Sequence, residues 1–216
     1  MKQTLSPSSI SLFLECRRCF WLDLVKGIKR PAGIFPSLPS GMDGILKAHF
    51  DTHRQKGEHP EELKGFDVKL FPDIKKLEEW RNNRKGLRFE DNGFTLMGAI
   101  DDMLVTADGK YAPLDFKTRG YPKKDDTHSF YQHQMDIYSF LLDKNGLSPA
   151  GFAILVFYHP VGVSCCNTKG HHDVLFEPEP VKVAADPARG EKLFREAVEC
   201  LKGEEPNNKC PWCEGK

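Results

Sequence analysis

Hydrophobic and polar positions along the chain switch several times between a helical and an alternating period. Ser6-Pro7 joins a capping hydroxyl to a proline at the first helical position, and Ile10, Phe13, Leu14, Trp21 and Leu24 then recur at helical spacing until Gly27. The pattern predicts one helix over residues 6–25. Residues 29–39 hold three prolines and a glycine and predict a connecting loop. Ser40 caps a second predicted helix over 41–55, stopped by Gly57, whereas 60–92 is charged and weakly patterned, with Ile74, Leu77 and Trp80 marking a short amphipathic helix.

Two runs at 94–105 and 111–118 flank Asp108-Gly109, a hairpin turn signal. A loop with an odd number of residues, such as 107–109, sets Asp101 directly across from Asp115. Strand alternation places Asp115 and Lys117 on one face and Leu114 and Phe116 on the other, where a helix would cover them. A helix over 128–144 capped by Gly146, a strand over 152–158 ended by Pro160, and a helix from Asp186-Pro187 to Lys202 complete the pattern. That order predicts a single α/β domain with a mixed sheet and flanking helices.

Charge changes this picture little. The 31 basic and 31 acidic side chains cancel, so a nucleic-acid partner would have to meet a local basic surface. Arg81, Arg84, Lys85 and Arg88 offer one, and serve equally well as a solvated face. The longest apolar run, 152–158, is far below the roughly 20 residues of a membrane span, and residues 1–7 lack a signal-peptide core. The expectation is a soluble cytoplasmic protein with no membrane partner, whose seven cysteines are reduced or metal-bound.

The chemistry-bearing residues gather on the predicted hairpin. Asp101 and Asp115 suit Mg2+ or Mn2+, hard ions that bind through one or two carboxylates plus water and phosphate. Lys117 shares the face of Asp115, where an ammonium orients a metal-activated water or stabilises the charge developing on a phosphodiester. An Asp-x-Lys by itself also describes an exposed ion-pair face. Gln134 and Tyr138 lie four residues apart on one face of the following helix and can touch phosphate or base edges. His49, or His53 one turn later, adds an imidazole on the second predicted helix.

Cys16-Arg17-Arg18-Cys19 and Cys210-Pro211-Trp212-Cys213 are paired CxxC motifs that predict a four-thiolate site, zinc or iron–sulfur, clasping the two ends of the chain. Cys165-Cys166 with His171-His172 makes a weaker second candidate.

Leu5-Ser6-Pro7-Ser8-Ser9-Ile10, the run from Phe13 to Leu22 with its two cysteines, Gly44 with His49, Gly98-Ala99-Ile100-Asp101, Asp115-Phe116-Lys117-Thr118 and Gln134 to Tyr138 together resemble the RecB-like branch of the PD-(D/E)XK nuclease superfamily. The CRISPR-associated RecB-type exonucleases and the AddB nuclease domain belong to that branch. The resemblance implies a restriction-endonuclease-like αβββαβ core and metal-dependent cleavage of DNA, with single-stranded ends favoured. It implies that His49, Asp101, Asp115 and the Phe116 carbonyl are metal ligands, that Lys117 is catalytic, and that Gln134 and Tyr138 position substrate. It also implies a [4Fe–4S] cluster on Cys16, Cys19, Cys210 and Cys213, and partner proteins in repair or CRISPR adaptation. The chain departs from the pattern twice. His49 follows Gly44 by five residues instead of four, and the cysteines divide two and two instead of one and three. The rival readings are a catalytically inactive relative and a zinc-organised nucleic-acid-binding module.

Overall fold

The protein is described by a computed structural model covering residues 3–164 and 172–214. A short strand, β1 (Gln3–Leu5), leads into two helices, α1 (Pro7–Glu15) and α2 (Arg17–Lys26). Ser6 caps α1 through a reciprocal box: its hydroxyl accepts from the Ser9 N–H at 3.3 Å, and the Ser9 hydroxyl accepts from the Ser6 N–H at 2.8 Å. The single helix expected over 6–25 is therefore two, divided at Cys16, whose backbone is extended at φ −160° and ψ 107°. The apolar period continues across the break, which is why spacing alone concealed it.

Helix α3 (Ser37–Lys56) begins inside the expected loop. A strand, β2 (Val68–Leu70), helix α4 (Ile74–Arg81) and strand β3 (Leu87–Asp91) follow; both strands lie in the segment that the pattern left unassigned. The run at 94–105 is likewise divided, into β4 (Phe94–Gly98) and β5 (Asp102–Thr106), which join different sheets. At Gly98 the backbone passes so close beneath the next helix that a Cβ would stand 2.8 Å from Leu141 Cδ1 and 2.9 Å from the Tyr138 ring. The strand β6 (Tyr111–Thr118) pairs antiparallel with β5, Asp102 opposite Leu114 and Val105 opposite Tyr111. The Thr106 N–H bonds to the Lys110 carbonyl at 2.9 Å, leaving the expected loop over 107–109.

Helix α5 (Gln132–Lys144), strands β7 (Phe152–Ser164) and β8 (Asp173–Ala184) and helix α6 (Pro187–Lys202) complete the order. Instead of ending at Pro160, β7 continues through an irregularity between Pro160 and Gly162 and pairs with β8. That strand carries Pro178 and Pro180 and went unpredicted; it lies at the sheet edge, where missing N–H donors are tolerated. Cys165, Cys166 and His171 of the weaker cysteine–histidine candidate lie outside the described residues.

The result is the expected mixed α/β architecture, built as two mixed sheets, β1-β4-β3 and β2-β5-β6-β7-β8, with flanking helices. One face of the larger sheet, with Leu104, Leu114, Phe116 and Val156, buries Leu46 and Phe50 of α3. Its other face, with Met103, Leu155 and Phe157, packs into the core shared with α5 and α6. Those helices approach so closely that a Cβ at Gly190 would stand 2.3 Å from the Asp136 carbonyl oxygen. Among the described residues no helix is long and apolar enough to cross a membrane.

A charged frame anchors the start of β5. Asp102 is fully buried and contacts both Arg54 and Arg81, its Oδ2 lying 3.0 Å from Arg81 Nη2. Both arginines also hold Asp51, and Arg81 Nε donates to the Asp101 carbonyl at 2.7 Å. Arg81 is thus committed to the frame and is not part of a free basic patch, and Arg88 turns back to the Lys85 carbonyl at 2.8 Å. Removing Asp102 would leave two buried cations short of a partner. Asp102→Ala is expected to lower stability by about 3–5 kcal/mol in urea denaturation, and a loss below about 1 kcal/mol would contradict this role.

Candidate active site

β6 runs between α3 on one side and α5 on the other, so its alternating side chains enter two different environments. Phe116 turns towards α3, its ring 4.7 Å from that of Phe50. Asp115 turns the opposite way and is buried, 1 % exposed. One step beyond the last formal β5–β6 pair the register brings Asp101 opposite Asp115, and Asp101 Oδ2 accepts the Phe116 N–H at 3.0 Å.

Gln134 of α5 joins the acidic and basic groups. Its Nε2 donates to Asp115 Oδ1 at 3.0 Å and to the Tyr138 hydroxyl at 2.8 Å, and its Oε1 accepts from Lys117 Nζ at 3.2 Å. Tyr138 in turn donates to the Ala99 carbonyl at 2.7 Å, tying α5 to the segment just before Asp101. Lys117 is ion-paired with Asp115 Oδ2 and lies 4.7 Å from the centre of the Tyr131 ring. Asp115 Oδ2 is buried, and the Lys117 ammonium is its partner.

These surroundings shift the proton affinities. Burial pushes the Asp115 carboxyl up to about 7, nearby Asp101 adds to the rise, and Lys117 and Lys47 oppose it. For Lys117 burial acts downward, but Asp115 and Asp101 outweigh it and hold the ammonium above its ordinary range. Burial also raises Tyr138 well above the usual phenol value, so it remains a neutral donor.

The structure brings Asp101, Asp115, Lys117, Gln134 and Tyr138 together and pairs His49 with Glu62. His49 Nε2 lies 3.0 Å from Glu62 Oε1, an oxygen that also accepts from the Tyr158 hydroxyl at 3.1 Å. Sequence reasoning missed Lys47, whose Nζ lies 3.0 Å from Asp101 Oδ1 and 2.7 Å from Asp43 Oδ2. The Asp43/Lys47 spacing is a helical ion-pair signal; its reach to Asp101 depends on how α3 crosses the sheet. The buried Asp115 carboxylate and the Asp101 carboxylate across the register make an oxygen donor set that fits a divalent cation.

Where α1 meets α2, Cys16, Cys19, Cys210 and Cys213 converge with all ligand atoms within 4.8 Å of one another. Among the described residues they are the one group of three or more Cys, His, Asp or Glu side chains gathered this closely. The sulfur separations are 3.8 Å for Cys16–Cys213, 3.4 Å for Cys19–Cys210 and 3.7 Å for Cys210–Cys213. Burial pushes Cys19 up to about 12, while the Cys213 backbone N–H draws Cys210 down to about 6. Arg18 braces the site, donating to the Cys213 carbonyl at 2.6 Å and pairing with Glu205 at 2.7 Å. The break at Cys16 lets both cysteines of the first motif face the second.

A carboxyl that binds its proton more tightly folded than unfolded contributes stability that is lost as pH rises from about 4 towards 7. Metal-free native protein is therefore expected to lose thermal stability relative to Asp115→Asn between pH 5 and pH 8. At pH 8 added Mn2+ is expected to raise the melting temperature of the native chain and not that of the variant. A pH-independent difference, or equal Mn2+ stabilisation of both, would contradict the assignment.

Comparison with known proteins bears on what this arrangement is for. No curated protein sequence matches the chain. A solved structure described as the crystal structure of SSO0001 aligns with a TM-score of 0.46 at 15 % identity, covering 99 % of this chain and 84 % of that one. Residues 43–216, which carry both aspartates, Lys117, Gln134 and Tyr138, match the family model of the PD-(D/E)XK nuclease superfamily, and the chain belongs to that superfamily.

Proposed function

We propose that the chain is a RecB-like, divalent-metal-dependent deoxyribonuclease that hydrolyses phosphodiester bonds at single-stranded ends, with Asp101, Asp115 and the Phe116 carbonyl as cation ligands. Superfamily membership supports the reaction class. The order of the Ser6-Pro7-Ser8, Asp101, Asp115-x-Lys117 and Gln134/Tyr138 motifs supports the RecB-like branch. The observation that carries the reading is the buried Asp115 carboxylate, ion-paired with Lys117 and with Asp101 across the register.

A divalent cation in this seat supplies a Lewis acid for the phosphoryl oxygen and lowers the pKa of bound water. The protein groups do the rest. Gln134 fixes Asp115 and Lys117 relative to one another through its two amide atoms, and Tyr138 locks that amide from behind. Lys117, kept charged by its acidic neighbours, stabilises negative charge building on the phosphate. Lys47 balances Asp101 and adds a second ammonium on the α3 side. His49, held by Glu62, is left out of the ligand set.

For the four cysteines we propose one zinc ion in place of the [4Fe–4S] cluster that the RecB-like resemblance implies. Thiolates at about 2.3 Å around one tetrahedral zinc stand about 3.8 Å apart. Three of the six sulfur separations are 3.4–3.8 Å and all lie within 4.8 Å, which supports a single small ion. A four-iron cubane, with each thiolate on a different iron, requires a wider ring of sulfurs.

With end-labelled single- and double-stranded DNA in Mg2+, Mn2+ or chelator, the native chain is expected to cleave only with a divalent ion. Asp115→Ala and Lys117→Ala are each expected to lose at least about 100-fold in rate. Cleavage unaffected by both substitutions would refute the site, and DNA binding that persists in chelator without any cleavage would identify a binding module instead. Anaerobically purified protein is expected to be colourless with one zinc per chain; brown protein containing iron and sulfide would contradict the zinc reading.

A further inference from the structure

The nuclease network opens onto a cleft that this reading leaves unassigned. It has a volume of about 410 Å3, within the roughly 300–1,000 Å3 of small-ligand sites. Gln134 and Tyr138 form one wall, so the cleft begins where the Asp115–Lys117 pair ends. Ser8 and Ser11 of α1, Asn83, Met97, Phe130 and His133 supply much of the rest.

We propose that this cleft is a subsite for one unpaired nucleobase of the strand being cut, an inference that rests on the nuclease reading above. The lining chemistry selects a base over a phosphate. Among the described residues no Lys, Arg, Asp or Glu lines the cleft, whereas hydroxyl, amide and imidazole groups do. A phosphate calls for cations, which lie outside at Lys117 and Lys47. A nucleobase is neutral, planar and edged with donors and acceptors, and it matches a neutral polar wall beside an aromatic side chain.

Three details sharpen the match. Phe130 is an apolar ring left 69 % exposed at the rim, available as a stacking surface. The Ser11 hydroxyl lies 2.9 Å from His133 Nε2, and burial holds His133 below its usual pKa, so this pair meets a ligand as neutral hydrogen-bonding groups. Tyr131 adjoins both regions, lining the cleft and standing 4.7 Å from the Lys117 ammonium, so a base in the cleft and a phosphate at Lys117 belong to neighbouring positions of one strand. A base within a duplex is covered by its stacked neighbours and by its partner, so entry requires an unpaired or flipped nucleotide. Preference for single strands then follows from the cleft and not from the carboxylate site.

The test uses the full chain and single-stranded oligonucleotides in which one 2-aminopurine, or one abasic residue, is stepped along the sequence. In chelator, 2-aminopurine fluorescence is expected to change at one register position relative to the bound end. Phe130→Ala is expected to weaken binding roughly 5- to 100-fold. In Mn2+, an abasic residue at that same position is expected to slow cleavage of the adjoining bond by a similar factor. Ser11→Ala, which leaves the ring in place, is expected to weaken binding less than Phe130→Ala and to keep the same register. Cleavage with a flat scan, or unchanged binding by Phe130→Ala, overturns the subsite while the nuclease reading survives. A position-specific fluorescence change with no cleavage by the native chain overturns the nuclease reading and leaves a base-binding cleft.

Discussion

The antiparallel register between β5 and β6, closed by the turn over 107–109, determines which side chains share a face of the larger sheet. Because the strand period is two, a slip of one residue would send Asp115 and Lys117 into the Phe50 side of the core and bring Leu114 and Phe116 out under Gln134. The Phe116 N–H to Asp101 bond and the Arg81 bond to the Asp101 carbonyl pin the acidic residue just past the last paired position of β5. The buried Asp102 between Arg54 and Arg81 holds α3, α4 and β5 together at that point. Chemistry at this site is thus inherited from strand pairing, and the charged frame keeps the pairing from fraying where β5 begins.

What the register assembles is unfavourable for folding by itself. A buried carboxylate has a second carboxylate opposite, and two ammonium groups only partly offset the burial and repulsion. Such arrangements persist where surrounding packing over-determines them. Here the packing comes from Phe50 and Phe116 on one side and the buried stretch 135–142 of α5 on the other. The cysteine clasp acts at long range, joining α1 and α2 to the end of the chain across a separation of 191 residues between Cys19 and Cys210. Closing so long a loop removes much chain entropy from the unfolded state, and a metal ion bound by the four cysteines would supply energy that holds it closed.

Much of the site was legible because it rests on local rules. Asp-Gly in the turn and strict alternation in 111–118 gave the facing of Asp115 and Lys117, and helical spacing gave Gln134 above Tyr138. The breaks were not legible, because the apolar pattern runs through them: Cys16 interrupts a helix to aim a thiol, and residues 99–101 leave one sheet for another under Tyr138. β8 was hidden by two prolines that only an edge strand tolerates. His49 and Lys47 show where spacing runs out. Both lie on α3, and only the crossing of that helix over the sheet decides that Lys47 reaches Asp101 while His49 faces Glu62.

The central proposal is that the β5–β6 register sets Asp101 and Asp115 together as the ligands of a divalent cation while His49 stays with Glu62. Anomalous diffraction from crystals grown in Mn2+, collected at the manganese edge, tests it most directly. The account predicts a manganese peak at the Asp101 and Asp115 carboxylates, with His49 still on Glu62. Manganese bound at His49, or no manganese between the two aspartates, would contradict it.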